Sequence, residues 1–175
     1  MIERWTLLLL LGLCQIPVAI ACSSEDVFDL VSQRLAYMPA VANAKYALGM
    51  PVEDLTREAV VLEQSRDKAA AAGLPETAVV DLMMAQMKVA KAIQRREPER
   101  LEDTIDGREL LADIRPQLSA LGRLQLQTLA CLRHQGVLLL PAEFALFNTY
   151  LEPRQLPRDE AQLLFMSLQV LLAAP

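Results

Sequence analysis

Residues 30–96 carry polar and charged side chains at helical spacing, in stripes that are otherwise apolar. One stripe, at steps of four, four, three and four residues, consists of Leu30, Arg34, Met38, Val41 and Lys45. A second, further along the chain, consists of Val79, Met83, Gln86, Ala90 and Gln94. Steps of three and four residues place side chains on one face of an α-helix. The sequence therefore predicts helices whose inward faces carry cations and amides.

A cation on an inward face is costly unless an anion lies opposite it. Between the two stripes, a predicted helix start after Pro51 places Asp54, Arg57 and Glu58 on one side. Two or three cations then converge with too few carboxylates to balance them. This imbalance predicts a pocket that binds a small anion.

The rest of the chain favours a single all-α domain of about six helices. The 175 residues are 53% hydrophobic but only 5% aromatic, which is typical of packed helices, and no segment alternates as a strand does. Proline and glycine residues divide the chain. The predicted helices cover residues 25–48 with a bend at Pro39, 52–72, 75–96, Thr104 or Asp106 to 135 with a kink at Pro116, 141–151, and 158–172.

The first 21 residues are typical of a signal peptide, with an apolar run and a small-x-small cleavage site at Ala19-Ile-Ala21. The remaining 22–175 are expected to form the helical domain, with a core at about 25–132 and a helical extension at 137–175. Cleavage leaves Cys22 first, so the protein is either free, in the periplasm or secreted, or lipid-anchored at Cys22. We expect the free form, with no membrane insertion after cleavage.

Two cysteines remain after cleavage, Cys22 and Cys131. Export permits a disulfide between them. The other interpretation, which we favour from sequence, is that Cys131 is a small buried hydrophobe.

Charge and motifs exclude several classes of function. A net charge of -5 and the lack of a basic stretch argue against nucleic-acid binding. The sequence has no Gly-rich phosphate loop, no Cys-x-x-Cys and no His-Glu-x-x-His, and its one histidine, His134, cannot build a His-rich metal site. These observations leave binding, or catalysis by placed charges alone.

The pattern Arg34-x10-Lys45-x8-Asp54-x2-Arg57-Glu58, followed by Gln94, resembles the all-helical chorismate mutases. The signal peptide and the helical extension are similar to those of the exported gamma subclass of that family. The resemblance implies an isomerase that rearranges chorismate to prephenate, in aromatic amino acid biosynthesis, outside the cytoplasm. It also implies a homodimer that uses no cofactor and no metal.

The same resemblance implies the role of each cation. Arg34 and Arg115 are expected to grip the two carboxylates of chorismate, since a guanidinium meets a carboxylate bidentately. Arg57 completes the cationic wall as a catalytic residue. Arg108 or Arg123 could take the place of Arg115, because the link before Arg115 varies.

The remaining roles belong to residues on the other stripes. The catalytic residues Lys45 and Gln94 are expected to donate to the ether oxygen. Glu58, with Asp54 nearby, receives the ring hydroxyl. Ala90 stands at a substrate-binding position where family members usually carry serine or threonine. Its missing hydroxyl favours the alternative function, a non-catalytic exported helical binding protein that retains the fold.

Overall fold

The computed structural model describes residues 22–96 and 106–175, and within these two ranges all regular structure is helical. These ranges contain seven α-helices, namely α1 Ser24–Ala36, α2 Met38–Ala47, α3 Leu55–Ala71, α4 Glu76–Arg96, α5 Gly107–His134, α6 Phe144–Leu151 and α7 Arg158–Ala173. Short 3-10 turns at Pro141–Glu143 and Glu152–Arg154 flank α6. The predicted all-α fold is confirmed, while the signal peptide at 1–21 and Thr104 lie outside the described residues.

The predicted first helix is two helices that meet at Tyr37. Ser23 caps α1 in a capping box: its hydroxyl accepts from the Asp26 amide at 3.2 Å, and the Asp26 carboxylate accepts from the Ser23 amide at 2.7 Å. Pro39 lies in the first turn of α2, where no helical partner for its missing N–H is needed. The proline therefore begins a new helix instead of bending an existing one.

Helix α3 begins three residues later than predicted, because Asp54 is its cap. Oδ1 of Asp54 accepts a hydrogen bond from the main-chain nitrogen of Arg57 at 2.9 Å. This contact fixes the angle at which Arg57 and Glu58 leave the first turn of α3.

Helix α4 lies between its neighbours and contacts α2, α3 and α7, while α5 packs against α1 and α2. The C-terminal helices share this core. Phe28 of α1 packs edge-on against Phe147 of α6, with ring centroids 5.0 Å apart, and Leu164 and Leu168 of α7 are fully buried. The C-terminal helices therefore support the outer sides of α1 and α4, whose opposite faces carry the predicted site.

A disulfide joins Cys22 to Cys131, with their Cα atoms 6.3 Å apart. The sequence preference for Cys131 as a buried free thiol is wrong. Helices α1 and α5 run antiparallel, since Arg34 lies beside Leu118 at one end and Cys22 beside Cys131 at the other. A sequence separation of 109 positions between the two cysteines concealed this proximity.

Among the helices of the two described ranges, none combines the length and apolar character that crossing a bilayer requires.

Candidate functional site

A cavity of about 170 Å³ lies between helices α1 to α5. It is far larger than a single water molecule needs, so it can hold a small organic molecule. Its lining includes all eight residues singled out from the sequence: Arg34, Lys45, Asp54, Arg57, Glu58, Ala90, Gln94 and Arg115. Five helices, or the caps of those helices, contribute them.

One end of the cavity is cationic, and we call Arg34, Arg57 and Lys68 its cationic end. Arg34 Nη1 donates to the main-chain oxygen of Leu118 at 3.0 Å, and no carboxylate of the described residues lies within ion-pair distance of Arg34. Burial of the guanidinium, together with the nearby Arg57 charge, lowers the pKa of Arg34 to about 10. Burial and the charges of Arg123, Arg34 and Arg57 lower the pKa of Lys68 as well. Positive charge is therefore held here at a cost that an anion would relieve.

A second group of lining side chains has charges of both signs and centres on Lys45. The ammonium of Lys45 donates to the main-chain oxygen of Val52, which ties α2 to the loop before α3. Burial lowers the pKa of Lys45, and the Asp54 and Glu58 carboxylates act against that shift. Lys45 thus stays a donor beside two carboxylates.

Lys91 of α4 belongs to the same group and was not singled out from the sequence. Its Nζ lies 2.8 Å from Glu53 Oε1 and 2.9 Å from Glu58 Oε2. The hydrogen bond to Glu53, helped by the one to Glu58, raises the pKa of Lys91. Lys91 falls three residues before Gln94, but that spacing is equally typical of a surface lysine, so it did not mark Lys91 as a lining residue.

Gln94 is buried on α4, 8% exposed. Its Nε2 has a thioether partner, Met38 Sδ at 3.5 Å, and its Oε1 has no partner among the described residues. A thioether sulfur is a weak acceptor. The amide hydrogens of Gln94 are therefore free to bind a better acceptor inside the cavity.

Gln86, one turn before Ala90, also lines the cavity, although the sequence reasoning left it as a structural residue. Its Nε2 donates to Gln125 Oε1 at 3.1 Å. Ala90 itself contributes only a methyl group to the lining.

Arg115 is the exposed member of the set and lies at the rim of the cavity. The two sequence alternatives to it, Arg108 and Arg123, are not among the lining residues. Of the three, Arg115 is thus the one placed to reach a bound molecule.

The arrangement offers cations, amide donors and carboxylates in fixed positions. No group of three or more His, Cys, Asp or Glu side chains suited to a metal ion occurs within residues 22–96 and 106–175. The cavity can hold an anion and stabilise charge that develops on it.

The sequence model of the family described as chorismate mutase type II matches residues 19–95. Residues 19–95 are therefore similar to the chorismate mutase type II family. The match spans α1 to α4, which provide seven of the eight lining residues named above.

Two curated chorismate mutases resemble parts of the chain. The secreted chorismate mutase of Yersinia pestis is 39% identical over 67 residues, which are 38% of this chain and 36% of that protein. The monofunctional chorismate mutase of Enterobacter agglomerans is 37% identical over 89 residues, which are 49% of each protein. The matched stretches thus span between about a third and a half of these relatives.

The structural likeness extends further than the sequence match. The crystal structure of the secreted chorismate mutase from Yersinia pestis superposes with a TM-score of 0.70 and 27% identity, covering 82% of this chain and 94% of that one. The chain therefore shares its all-helical fold with a chorismate mutase beyond residues 19–95.

Proposed function

We propose that the protein is a chorismate mutase, an isomerase that converts chorismate to prephenate. The observation that carries the proposal is the cationic end of the cavity, with no carboxylate of the described residues paired to Arg34, facing Lys45 and Gln94 in one lining. Chorismate is a small dianion, and its two negative charges would offset the unpaired cations of the lining.

The reaction is a concerted [3,3] rearrangement in which an ether C–O bond breaks while a C–C bond forms. No atom is gained or lost, so the protein need only hold the substrate folded and stabilise the charge on the ether oxygen. In this proposal Arg34, beside Arg57, grips one carboxylate and Arg115 at the rim grips the other. Both cations hold the reacting ends together.

Lys45 and Gln94 are proposed to donate to the ether oxygen as it gains negative charge. Their hydrogen bonds strengthen in the transition state, so they accelerate the reaction selectively. Glu58 is proposed to accept from the ring hydroxyl. Lys91, whose Nζ lies 2.9 Å from Glu58 Oε2, holds that carboxylate in place.

The test is turnover of chorismate by the purified protein, followed by the loss of ultraviolet absorbance. We expect Lys45→Met to lower kcat/KM by about 10²–10³-fold, the effect of losing one donor to developing charge. Arg66→Met is the matched control, because Arg66 pairs with exposed Glu63 outside the cavity lining. A folded wild-type chain without turnover would leave the non-catalytic binding protein, which Ala90 favours, as the function.

We also propose export with cleavage after Ala21, giving a soluble protein that is secreted or periplasmic. The Sγ atom of Cys22 is the atom to which a lipid anchor attaches, and the disulfide with Cys131 occupies it. Disulfides form in oxidising compartments, which supports export. Intact mass spectrometry of the protein from its producing cell distinguishes a disulfide, two hydrogens lighter than the thiols, from an acylated cysteine.

A homodimer is proposed as the assembly. Helix α7 buries most of its apolar residues in the core but leaves Met166 and Val170, four residues apart, exposed at 52% and 57%. Light scattering after size exclusion should give twice the chain mass, and Val170→Lys should reduce it to the mass of one chain. A monomeric wild type contradicts the proposal.

A further inference from the structure

Gln86 of α4 and Gln125 of α5 form an amide pair beside the cavity, and each is only 1% exposed. The single hydrogen bond between them leaves Gln86 Oε1 and Gln125 Nε2 without partners among the described residues. A buried amide group left unpaired destabilises a fold, so packing alone does not explain the pair.

The pair lies near the cationic end. Gln125 follows Gly122 by one helical turn, and a methyl group at position 122 would lie 3.8 Å from Arg34 Nη1. Gln86 lines the cavity itself. Ala90, one turn further along α4, lines it without a hydrogen-bonding side chain. Of these two neighbouring positions on α4, Gln86 is therefore the one that can form a hydrogen bond with a molecule in the cavity.

The amide pair has two equivalent hydrogen-bonding directions. Each amide carries both a donor and an acceptor, so turning both by 180° keeps one N–H···O bond and reverses it. In the reversed direction Gln125 donates to Gln86, and the amide hydrogens of Gln86 become free. Each direction leaves one atom of each residue unpaired. A carboxylate in the cavity can pair only with the direction in which Gln86 offers its hydrogens.

We propose that Gln86 is a further substrate-binding residue, donating from Nε2 to the carboxylate that Arg34 holds while Gln125 donates to Gln86. The inference rests on the proposed function, which supplies the dianionic substrate. Gln86 then takes the part of the hydroxyl that Ala90 lacks. Binding pairs one of the two unpaired amide groups.

The test uses Gln86→Met, Gln125→Met and the double variant, with kcat and KM for chorismate, calorimetric Kd for prephenate, and thermal unfolding. Gln86→Met should raise KM and Kd by about 10- to 100-fold, the range for one hydrogen bond to a charged group. It should change kcat less than threefold. Gln125→Met should raise KM and Kd less than Gln86→Met does, because Gln86 remains.

The double variant separates binding from folding. Replacing both partners by apolar side chains of similar shape is close to neutral for stability. We expect it to unfold at the wild-type temperature while KM and Kd stay high, even if Gln86→Met alone does not fold. Adding Ala90→Ser to the double variant should then recover part of the binding.

Wild-type KM and Kd in the double variant would overturn the inference, as would equal losses in the two single variants. A wild type that binds prephenate without turning over chorismate contradicts the proposed mutase activity. The prephenate Kd values of the wild type and the variants then still test whether Gln86 binds the ligand. A wild type that binds no prephenate overturns both.

Discussion

Nη1 of Arg34 donates to the main-chain oxygen of Leu118 at 3.0 Å, across the interface between α1 and α5. A guanidinium has five N–H donors, and this bond uses one of them. The contact aims the group at the cavity and leaves donors for a ligand. The same burial that lowers the pKa of Arg34 to about 10 makes the group costly to hold when nothing is bound.

Arg34→Met is expected to separate stability from function. Replacing a desolvated cation by an apolar side chain should leave the free energy of unfolding unchanged or raise it, by up to about 2 kcal/mol. Turnover of chorismate should fall below about a thousandth of the wild-type kcat/KM, because a carboxylate loses its charged partner. Urea unfolding and steady-state kinetics measure the two effects, with Arg66→Met as the matched surface control. A loss of stability equal to that of a core truncation would contradict this account.

The pH dependence of kcat/KM should show a decline at alkaline pH, where the cations of the site lose their protons. No donor titrates near neutrality in the proposed site, so kcat/KM should be flat from about pH 5 to 8. It should fall at higher pH, since burial lowers the pKa of Lys45 and that of Arg34, the latter to about 10, and each loses its charge as the pH rises. Gln94→Glu is the comparison: a glutamate donates only when protonated, so its activity should decline with rising pH where the wild type stays level. A steep fall of the wild type just above neutrality argues against Gln94 as donor.

Lys91→Met should impair the site through Glu58. Without the bond at 2.9 Å, the Glu58 carboxylate is free to pair with Lys45 and withdraw that ammonium from the substrate. We expect kcat/KM to fall about tenfold, equivalent to about 1.4 kcal/mol. Glu53→Gln is the control, because it removes the other, exposed partner of Lys91, and exposed ion pairs contribute about 0–1 kcal/mol. If Lys91→Met and Glu53→Gln lowered kcat/KM equally, Lys91 would act only through its exposed ion pair with Glu53 and not through Glu58.

Breaking the Cys22–Cys131 disulfide should lower stability without disabling the site. The bridge closes a loop with a sequence separation of 109 residues, and a disulfide of this kind stabilises by about 2–4 kcal/mol. Reductant should therefore shift urea unfolding of the wild type to lower concentration, whereas Cys131→Ser should start at that lower value and not respond. Neither cysteine lines the cavity, so kcat/KM of the folded protein should change by less than about twofold. A reductant-insensitive wild type contradicts the bridge.

The limits of most helices and several cavity-lining residues could be predicted from the sequence. Pro75, Gly136 and Pro157 punctuate the chain close to where helices begin and end, and those limits were predicted within a few residues. The break at Tyr37 was not, because a proline within a helical pattern can bend a helix or begin a new one, and its neighbours in space decide which. Arg34, Lys45 and Gln94 were singled out from their spacing, and all three line the cavity.

The residues that were missed lack a local signal. The spacing of Lys68 on α3 and of Lys91 on α4 is ordinary for surface lysines. They line the cavity only because of the way those helices pack against their neighbours. Gln125 was not singled out because its importance depends entirely on Gln86, 39 residues earlier. The disulfide is the clearest case, since the antiparallel packing of α1 and α5 creates it.

The sequence alone determined that the chain is helical and which side chains share a helix face. Both follow from the helical period of 3.6 residues, which depends only on residues close together in the sequence. It also predicted that cations on those faces need an anionic partner, since removing a charge from water is costly in any fold that buries it. Only the tertiary structure decided which faces meet. It brought Arg34 and Lys68 into one cavity lining, paired Lys91 with Glu58, and joined Cys22 to Cys131. Contacts between distant helices depend on how whole surfaces fit together, and no short stretch of sequence carries that information.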